Sequence, residues 1–228
     1  MTIIKSGIKT STKTKTITTG KQLIQGPAGK LEVAVDPVEE GVEERRAFGI
    51  VCHPHPLYGG TMQNKVVTTL AKAFQFLGLT TVRFNFRGVG KSEGEFNFGN
   101  GEFDDLLAVI EWVHGEQKQQ KDNPLEIWLA GFSFGAYIAA KAATTLSIKK
   151  LVLVAPPVQN FPMQSLPPIL CPWILVQGEM DDVALPKDVF LWAESRYPAP
   201  IILKFPQAGH FFHGQLIELR TRLEEALK

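Results

Sequence analysis

One serine of this sequence stands in a pattern that can make its hydroxyl group a nucleophile. Residues 131–135 read Gly-Phe-Ser-Phe-Gly, with Ser133 at the centre of a G-x-S-x-G pattern. Between a buried strand and a helix, this pattern forms a turn so sharp that small residues must stand two positions before and after the serine. The N-terminus of the following helix favours negative charge beside the serine. Ser133 is therefore the predicted nucleophile.

A serine hydroxyl also needs a base that takes its proton. The sequence contains five histidines. His210 lies in a short loop between a strand pattern at residues 201–205 and the last helix pattern, which is the last place in the chain order serine, acid, histidine. His213, three residues later, is the second choice. We therefore predict His210 as the base.

An acid should follow a strand between these two residues and hold the far nitrogen of the imidazole. The strand pattern at residues 173–177 ends at Gly-Glu-Met-Asp-Asp, so that three carboxylates compete. A turn that starts at Gly178 brings Asp181 back over the end of the strand, whereas Asp182 would point away. We predict Asp181 as the acid, with Asp182 as its rival.

Acyl transfer further requires N–H donors for the oxyanion of the tetrahedral intermediate. The backbone N–H of Phe134, the residue after the predicted nucleophile, is one, and the second should come from the loop after the strand pattern at residues 47–52. That loop reads His-Pro-His-Pro-Leu-Tyr-Gly-Gly from position 53, and its prolines have no N–H group. His55, Leu57 and Tyr58 remain, of which we favour His55 or Leu57 without a choice between them.

The same loop contains a His-x-His pattern, His53 and His55, that is compatible with a metal site. No third ligand of suitable spacing accompanies it, so the preferred interpretation is a stiff loop whose imidazoles bond to nearby backbone. Arg87 and Glu102 also lie in loops after strand patterns. They either line the pocket or form a structural ion pair.

These residues depend on a scaffold in which strands and helices alternate. Strand patterns occur at residues 31–35, 47–52, 81–86, 126–130, 151–154, 173–177 and 201–205, and helical patterns at 66–77, from 104, and at 135–144, 186–194 and 215–227. The alternation predicts an α/β fold with a mostly parallel sheet and helices on both faces. Ligands of such sheets bind outside the carboxyl ends of the strands, which is where the candidate residues lie.

The length of 228 residues is typical of one α/β domain. We expect residues 20–228 to form this single domain. Residues 1–19, rich in Thr and Lys, are expected to be a flexible tail or an edge strand.

The composition excludes several classes of partner. A net charge of +1 gives no indication of a nucleic-acid partner. No apolar run approaches the roughly 20 residues that span a bilayer, and no secretory signal is visible. The two distant cysteines are interpreted as free thiols. We expect a cytoplasmic protein, a monomer or small homo-oligomer, that binds a small molecule and neither nucleic acid nor membrane.

Five motifs together resemble one family. They are the loop from His53, the segment 84–92 (Phe-Asn-Phe-Arg-Gly-Val-Gly-Lys-Ser), the Ser133 pattern, Gly178-x-x-Asp181 and Gly209-His210. They resemble small bacterial α/β-hydrolases that are similar to dienelactone hydrolases. The resemblance extends from about Gln25 to the C-terminus, and the His-Pro-His-Pro loop is its most specific part.

This resemblance implies an α/β-hydrolase fold with a central sheet of about eight strands, a Ser-Asp-His triad, and no metal or organic cofactor. It supports Asp181 over Asp182, because the acid of the family falls three residues after the glycine. Dienelactone hydrolases carry a Cys nucleophile where this chain has Ser133. Their substrate is therefore not carried over.

The substrate expectation comes from a short connection. Residues 155–171 contain five prolines and leave no room for a large cap domain. Apolar side chains follow several strands, namely Phe134, Phe161, Met163, Phe211 and Phe212. We therefore expect a small, open pocket and a serine hydrolase that cleaves small esters or thioesters through an acyl-enzyme on Ser133. A serine peptidase or acyltransferase with the same triad, and a non-catalytic binding protein on the same fold, are the alternatives.

Overall fold

A computed structural model describes residues 17–117 and 124–228 of the chain. The strands are β1 (Gly20–Gly26), β2 (Gly29–Asp36), β3 (Ala47–Cys52), β4 (Thr80–Phe84), β5 (Glu126–Phe132), β6 (Lys150–Val154), β7 (Trp173–Gly178) and β8 (Ile201–Phe205). The α-helices are α1 (Lys65–Phe76), α2 (Asn100–Glu116), α3 (Phe134–Ala143), α4 (Pro186–Glu194) and α5 (Leu216–Ala226). Most of the segment 1–19, for which a tail or edge strand is predicted, lies outside the described residues.

The eight strands form one sheet in the order β1-β2-β4-β3-β5-β6-β7-β8. The pairs β1–β2 and β2–β4 are antiparallel, and all other neighbouring strands are parallel. Strands β3, β5 and β7 lie inside the sheet and are almost entirely buried, because helices cover both faces. The predicted α/β-hydrolase fold with a mostly parallel sheet of about eight strands is confirmed.

The connections place helices on both faces. The crossover β3-α1-β4 runs in one direction along the sheet and β5-α3-β6 in the other, so that right-handed crossovers put α1 and α3 on opposite faces. Helix α1 packs beside α5, and α2 beside α3. The direction reverses at β3, and the carboxyl ends of β3 and β5 therefore flank the crevice in which such sheets bind ligands.

One strand and the start of one helix differ most from the sequence patterns. Strand β1 was not predicted, because it is an edge strand rich in Lys and Gln that buries only Ile24. Helix α2 begins at Asn100, four residues before its predicted start, and Glu102 in its first turn explains the difference. Its carboxylate accepts a hydrogen bond from the N–H of Gly99, the N-cap residue, and this bond stabilises the added turn.

The connection between β6 and β7 contains a single 3₁₀ turn, Met163–Ser165, and so the predicted absence of a large cap is confirmed. Cys52, buried in β3, and Cys171, half-buried in this connection, are free thiols. Over the described ranges, the model has no helix that combines the length and the apolar character needed to cross a membrane.

Candidate active site

Ser133 stands at the sharp turn between β5 and α3. Its backbone has φ +53° and ψ −120°, a conformation that is strained for a residue with a side chain. A Cβ atom on Gly131 would lie 2.1 Å from the Gly135 carbonyl oxygen, and one on Gly135 would lie 2.3 Å from the Cys52 carbonyl oxygen. Only glycine therefore fits at both positions, and the turn presents the serine hydroxyl at the crevice.

The structure brings the three predicted side chains together from three separate loops. Ser133 Oγ lies 3.2 Å from His210 Nε2, and His210 Nδ1 lies 2.9 Å from Asp181 Oδ2. All three residues are buried, with 8% of Ser133 and 6% of His210 exposed. A carboxylate only accepts hydrogen bonds, so Nδ1 carries the proton and Nε2 is left to accept one from the serine hydroxyl.

The His210 loop is anchored by a buried phenylalanine. Phe212 packs edge-on against Phe205 of β8, with 5.4 Å between the ring centroids, and its N–H donates to the Gly209 carbonyl. This tight turn directs the imidazole of His210 toward β5. His213, the second choice for the base, is exposed beyond the turn.

Asp181 is held by four donors. Its Oδ1 accepts hydrogen bonds from the N–H groups of Val183 and Ala184, and its Oδ2 from His210 and the amide of Gln177. Burial alone would raise the pKa of Asp181, but the hydrogen bonds and charge of His210 together with the two backbone donors hold it below its ordinary value. Its rival Asp182 is exposed.

Gln177 is a part of the site that the sequence patterns missed. It is completely buried in β7, and its Nε2 lies 3.2 Å from Asp181 Oδ2 and 3.0 Å from the carbonyl oxygens of Gly178 and Ala184. Three acceptors around one terminal atom identify that atom as the amide nitrogen. An amide inside an apolar strand belongs to no motif, and so only the structure reveals its contact with the acid.

Three N–H groups of the loop after β3, those of Leu57, Tyr58 and Gly60, donate within the loop. Leu57 N–H donates to His55 Nδ1 at 3.2 Å, and Tyr58 N–H donates to the His55 carbonyl oxygen at 3.1 Å. Of the two predicted second oxyanion donors, Leu57 is therefore the less favourable, because its hydrogen is already bonded within the loop. His55 is the remaining candidate beside Phe134, whose N–H lies in the first turn of α3, where no intrahelical acceptor exists.

His53 holds this loop against the end of β4. Its Nδ1 lies 2.6 Å from the Pro54 carbonyl oxygen, and its Nε2 accepts a hydrogen bond from the N–H of Phe86 at 3.0 Å. Burial lowers the pKa of His53 to about 4. Both nitrogens are thus occupied, and among the residues that the structure describes, no group of three or more His, Cys, Asp or Glu side chains is arranged to hold a metal ion.

A comparison with known families gives this geometry a context. The sequence model of the X-Pro dipeptidyl-peptidase (S15 family) matches residues 34–166, which is more than half of the chain. The chain belongs to the S15 family. A curated relative, the uncharacterized protein RP471 of Rickettsia prowazekii, is 34% identical over 168 residues, which are 72% of this chain and 68% of the relative.

Solved structures agree with this assignment. An α/β serine hydrolase homologue from Coxiella burnetii is 48% identical and superimposes with a TM-score of 0.87 over 93% of this chain and 99% of the other. XC6422 from Xanthomonas campestris, a member of the α/β serine hydrolases without a lid, is 41% identical, with a TM-score of 0.85 over 93% and 95% of the two chains. This S15-family protein is thus a small bacterial member of the α/β-hydrolase superfamily.

In this S15-family protein, two buried carboxylates organise the connection between β4 and α2. Arg87 Nη2 lies 2.7 Å from Asp105 Oδ1, so the ion pair considered for Arg87 exists, but with Asp105 in place of Glu102. Glu102 instead accepts hydrogen bonds from the N–H groups of Asn97 and Gly99 at 2.8 and 2.7 Å. Neither role was evident from sequence, because both depend on how the connection folds back on α2.

Proposed function

We propose that this protein is a serine hydrolase that cleaves small carboxylic esters or thioesters through an acyl-enzyme on Ser133. The observation that carries the proposal is the continuous hydrogen-bonded series from Asp181 through His210 to Ser133 Oγ. The strained turn supports it, because strain at a buried, hydrogen-bonded serine is typical of a position that serves chemistry.

In the first half of the reaction, Ser133 Oγ attacks the carbonyl carbon of the substrate while His210 Nε2 takes the hydroxyl proton. Asp181 stays ionised and stabilises the resulting imidazolium, which is consistent with the lowered pKa of its carboxyl group. The N–H groups of Phe134 and His55 bind the oxyanion of the tetrahedral intermediate. The intermediate collapses when the bond to the alcohol or thiol breaks, and that leaving group takes the proton from His210.

In the second half, water replaces the leaving group. His210 Nε2 takes one proton from the water as its oxygen attacks the acyl carbon, and the same two N–H groups bind the second oxyanion. When the bond to Ser133 Oγ breaks, His210 returns the proton to the serine and the carboxylic acid leaves. Each residue then has its starting protonation state.

The short β6–β7 connection supports the choice of small substrates. Where a cap would stand, it contains only a 3₁₀ turn, and it contributes the ring of Phe161 to the site, 5.1 Å from the ring of Phe134. Without a cap to close over it, a long acyl chain would stay exposed to water on its outer side, so its burial would contribute little to binding. A small acyl group has less apolar surface to bury, so the lack of a cap weakens its binding less.

The S15 family match supports a second candidate, a serine peptidase that releases dipeptides. Such an enzyme must bind the free ammonium group of its substrate, and a carboxylate is the natural partner for that charge. The two buried acids in the first turns of α2 are engaged elsewhere, Glu102 with two backbone N–H groups and Asp105 with Arg87. This arrangement favours the ester or thioester reaction.

A substrate panel with the Ser133→Ala variant as control tests the proposal. The panel contains p-nitrophenyl acetate, butyrate and dodecanoate, an acetyl thioester, and Gly-Pro-p-nitroanilide. We expect turnover of the short esters and the thioester that Ser133→Ala abolishes. Equal or faster turnover of the dodecanoate would contradict the small pocket. Faster turnover of the anilide than of any ester would contradict the esterase proposal and support the peptidase.

A further inference from the structure

Four aromatic rings follow one another beside the nucleophile turn. In the order Tyr58, His55, Phe96 and Phe98, successive ring centroids are 4.8, 4.8 and 5.2 Å apart. Neighbouring rings are tilted by 41° to 58°, within the range of favourable aromatic contacts. We call these four residues the aromatic row.

The two inner members of the aromatic row, His55 and Phe96, lie next to the residue that follows the nucleophile. The ring of Phe134, the residue directly after Ser133, lies 5.1 Å from the ring of His55 and 5.8 Å from that of Phe96. His55 is also the candidate for the second oxyanion donor. A substrate whose carbonyl group is bound at Ser133 therefore has its remaining atoms within reach of the row.

The outer members of the row are unusually exposed for such large apolar side chains. Tyr58 is 87% and Phe98 is 77% exposed, whereas Phe134 beneath them is buried. Exposed rings contribute little to the stability of the fold. A contiguous exposed apolar surface next to a reactive group is typical of a place where a ligand is bound.

Phe98 is held in this exposed position at a cost. Its φ of +49° lies in the left-handed region, which is unfavourable for a residue with a side chain. Glu102, which is completely buried, accepts hydrogen bonds from the residues on both sides, Asn97 and Gly99. The fold thus uses a buried carboxylate to keep a strained turn whose central side chain contacts the ring of Phe96. This combination indicates that the position of the Phe98 ring serves binding.

The row presents uncharged ring surfaces. His55 is the member that could carry a charge, and burial lowers its pKa despite the opposing effect of the Glu102 charge. Its Nδ1 accepts a hydrogen bond from Leu57 N–H, which also requires an unprotonated nitrogen there. Neutral rings at stacking distance suit a further flat, uncharged ring.

We propose that the aromatic row binds an aromatic ring of the substrate, with Phe98 as a specificity-determining residue, so that the preferred substrates are esters or thioesters that carry an aryl group. This inference rests on the proposed esterase function and adds the substrate class to it. The ring of the substrate stacks on the row while its carbonyl group lies between Ser133 and the oxyanion donors.

Two pairs of esters that differ only in a ring test the inference. The first pair is 2-phenylethyl acetate and 2-cyclohexylethyl acetate, with the ring on the alcohol, and the second is the ethyl esters of 3-phenylpropanoate and 3-cyclohexylpropanoate, with the ring on the acyl group. For at least one pair, we expect kcat/KM to favour the aryl ester by about three- to tenfold, the range that an aromatic contact gives. In Phe98→Leu, which keeps an apolar side chain, the ratio should fall below about twofold.

Three further variants define the outcome. Phe98→Tyr should keep the aryl preference, because the ring is retained. Glu102→Gln should weaken the preference, because it weakens the hydrogen bonds that hold Asn97 and Gly99 on either side of Phe98. Phe76→Leu removes a partly exposed ring at the end of α1, on the opposite edge of the sheet, and should leave the ratio unchanged. Because the Phe98 side chain is 77% exposed, Phe98→Leu should keep the circular dichroism spectrum and the urea unfolding midpoint of the wild type, which shows that its fold is intact.

The possible failures are distinguishable. If the wild type hydrolyses p-nitrophenyl acetate but shows no aryl preference in either pair, the proposal of an aromatic subsite is wrong, whereas the proposed esterase function is still supported. An aryl preference that persists in Phe98→Leu removes the role of Phe98. If the wild type hydrolyses no ester at all, both the proposed function and this inference are contradicted.

Discussion

Two buried histidines, His53 and His210, have different roles in this molecule although both imidazole rings are fully hydrogen-bonded. Each has both nitrogens in hydrogen bonds, and each follows a strand at the same edge of the sheet. The partners of His53 are backbone groups, a carbonyl oxygen and an N–H. The partners of His210 are side chains, the carboxylate of Asp181 and the hydroxyl of Ser133.

The difference lies in what each ring can do with a proton. His53 accepts a hydrogen bond from an amide that never gives up its hydrogen, so its role is to fix the loop after β3. His210 accepts one from a hydroxyl that can be deprotonated, and a buried carboxylate stabilises the charge that follows. Burial and full hydrogen bonding therefore do not by themselves distinguish a structural histidine from a catalytic one. The two are distinguished by whether the group that donates to the imidazole can give up its proton.

The largest expected effect separates the two histidines by activity. His210→Gln removes the base and should lower kcat for p-nitrophenyl acetate by about 10⁵- to 10⁶-fold, as far as loss of the nucleophile itself. His53→Gln keeps one acceptor and one donor in place and should lower kcat less than tenfold. The measurement is steady-state hydrolysis at pH 7.5, and comparable losses in both variants would remove the distinction.

The next effect concerns the partner of His210. In Asp181→Asn, the amide cannot hold the tautomer in which Nδ1 carries the proton, and kcat should fall about 10⁴-fold. The matched control is Asp182→Asn, which changes an exposed carboxyl one residue away and should leave kcat within about twofold of wild type. A larger loss in the control than in Asp181→Asn would make Asp182 the acid.

The triad residues could be predicted from sequence better than the groups that surround them. The glycines around Ser133 and the chain order of serine, acid and histidine are visible in the sequence, and the structure brings those side chains together. The second oxyanion donor was not predictable, because it depends on His55 Nδ1 bonding to Leu57 N–H within the loop. The contacts of Gln177 and Glu102 were invisible for a similar reason. Their burial is a product of tertiary packing.

The same distinction holds for the fold. Strands such as β3 and β5 are continuous apolar runs, since helices cover both of their faces, and sequence patterns locate them well. Strand β1 pairs only with β2 at the edge of the sheet and exposes most of its side chains. Its polar sequence therefore resembles a loop, and its place in the sheet could be found only from the structure.

A third prediction tests His53 by stability. The pKa of His53 is about 4 in the folded protein and about 6.5 for an ordinary histidine. Between these values the unfolded chain binds a proton that the folded protein excludes, so stability is full above pH 6.5 and falls as the pH is lowered toward 4. At pH 5 this loss amounts to about 2 kcal/mol.

Urea unfolding at pH 7 and pH 5 measures this loss. In His53→Gln, the difference in the free energy of unfolding between the two pH values should be smaller than in wild type by about 2 kcal/mol. His114→Gln, a change at an exposed histidine in α2, should leave the difference as it is in wild type. A wild-type loss that His53→Gln does not reduce would show that His53 is not held neutral.

The smallest expected effect lies in the loop that His53 fixes. The side chain of Leu57 is 67% exposed and its N–H is bonded to His55, so Leu57→Ala should change kcat less than about twofold. The same assay applies. A loss of more than about tenfold would contradict this expectation and would show that the Leu57 side chain, although exposed, positions the loop after β3.

Covalent labelling with a fluorophosphonate tests the central claim most directly, because the reagent reacts with an activated serine and needs no knowledge of the substrate. Intact-protein mass spectrometry and peptide mapping should show one adduct, on Ser133, in wild type and in His53→Gln. His210→Gln should react far more slowly, and Ser133→Ala should carry no adduct. A wild-type protein that stays unlabelled, or a Ser133→Ala variant that is labelled to the same extent, would contradict the assignment of Ser133 as an activated nucleophile.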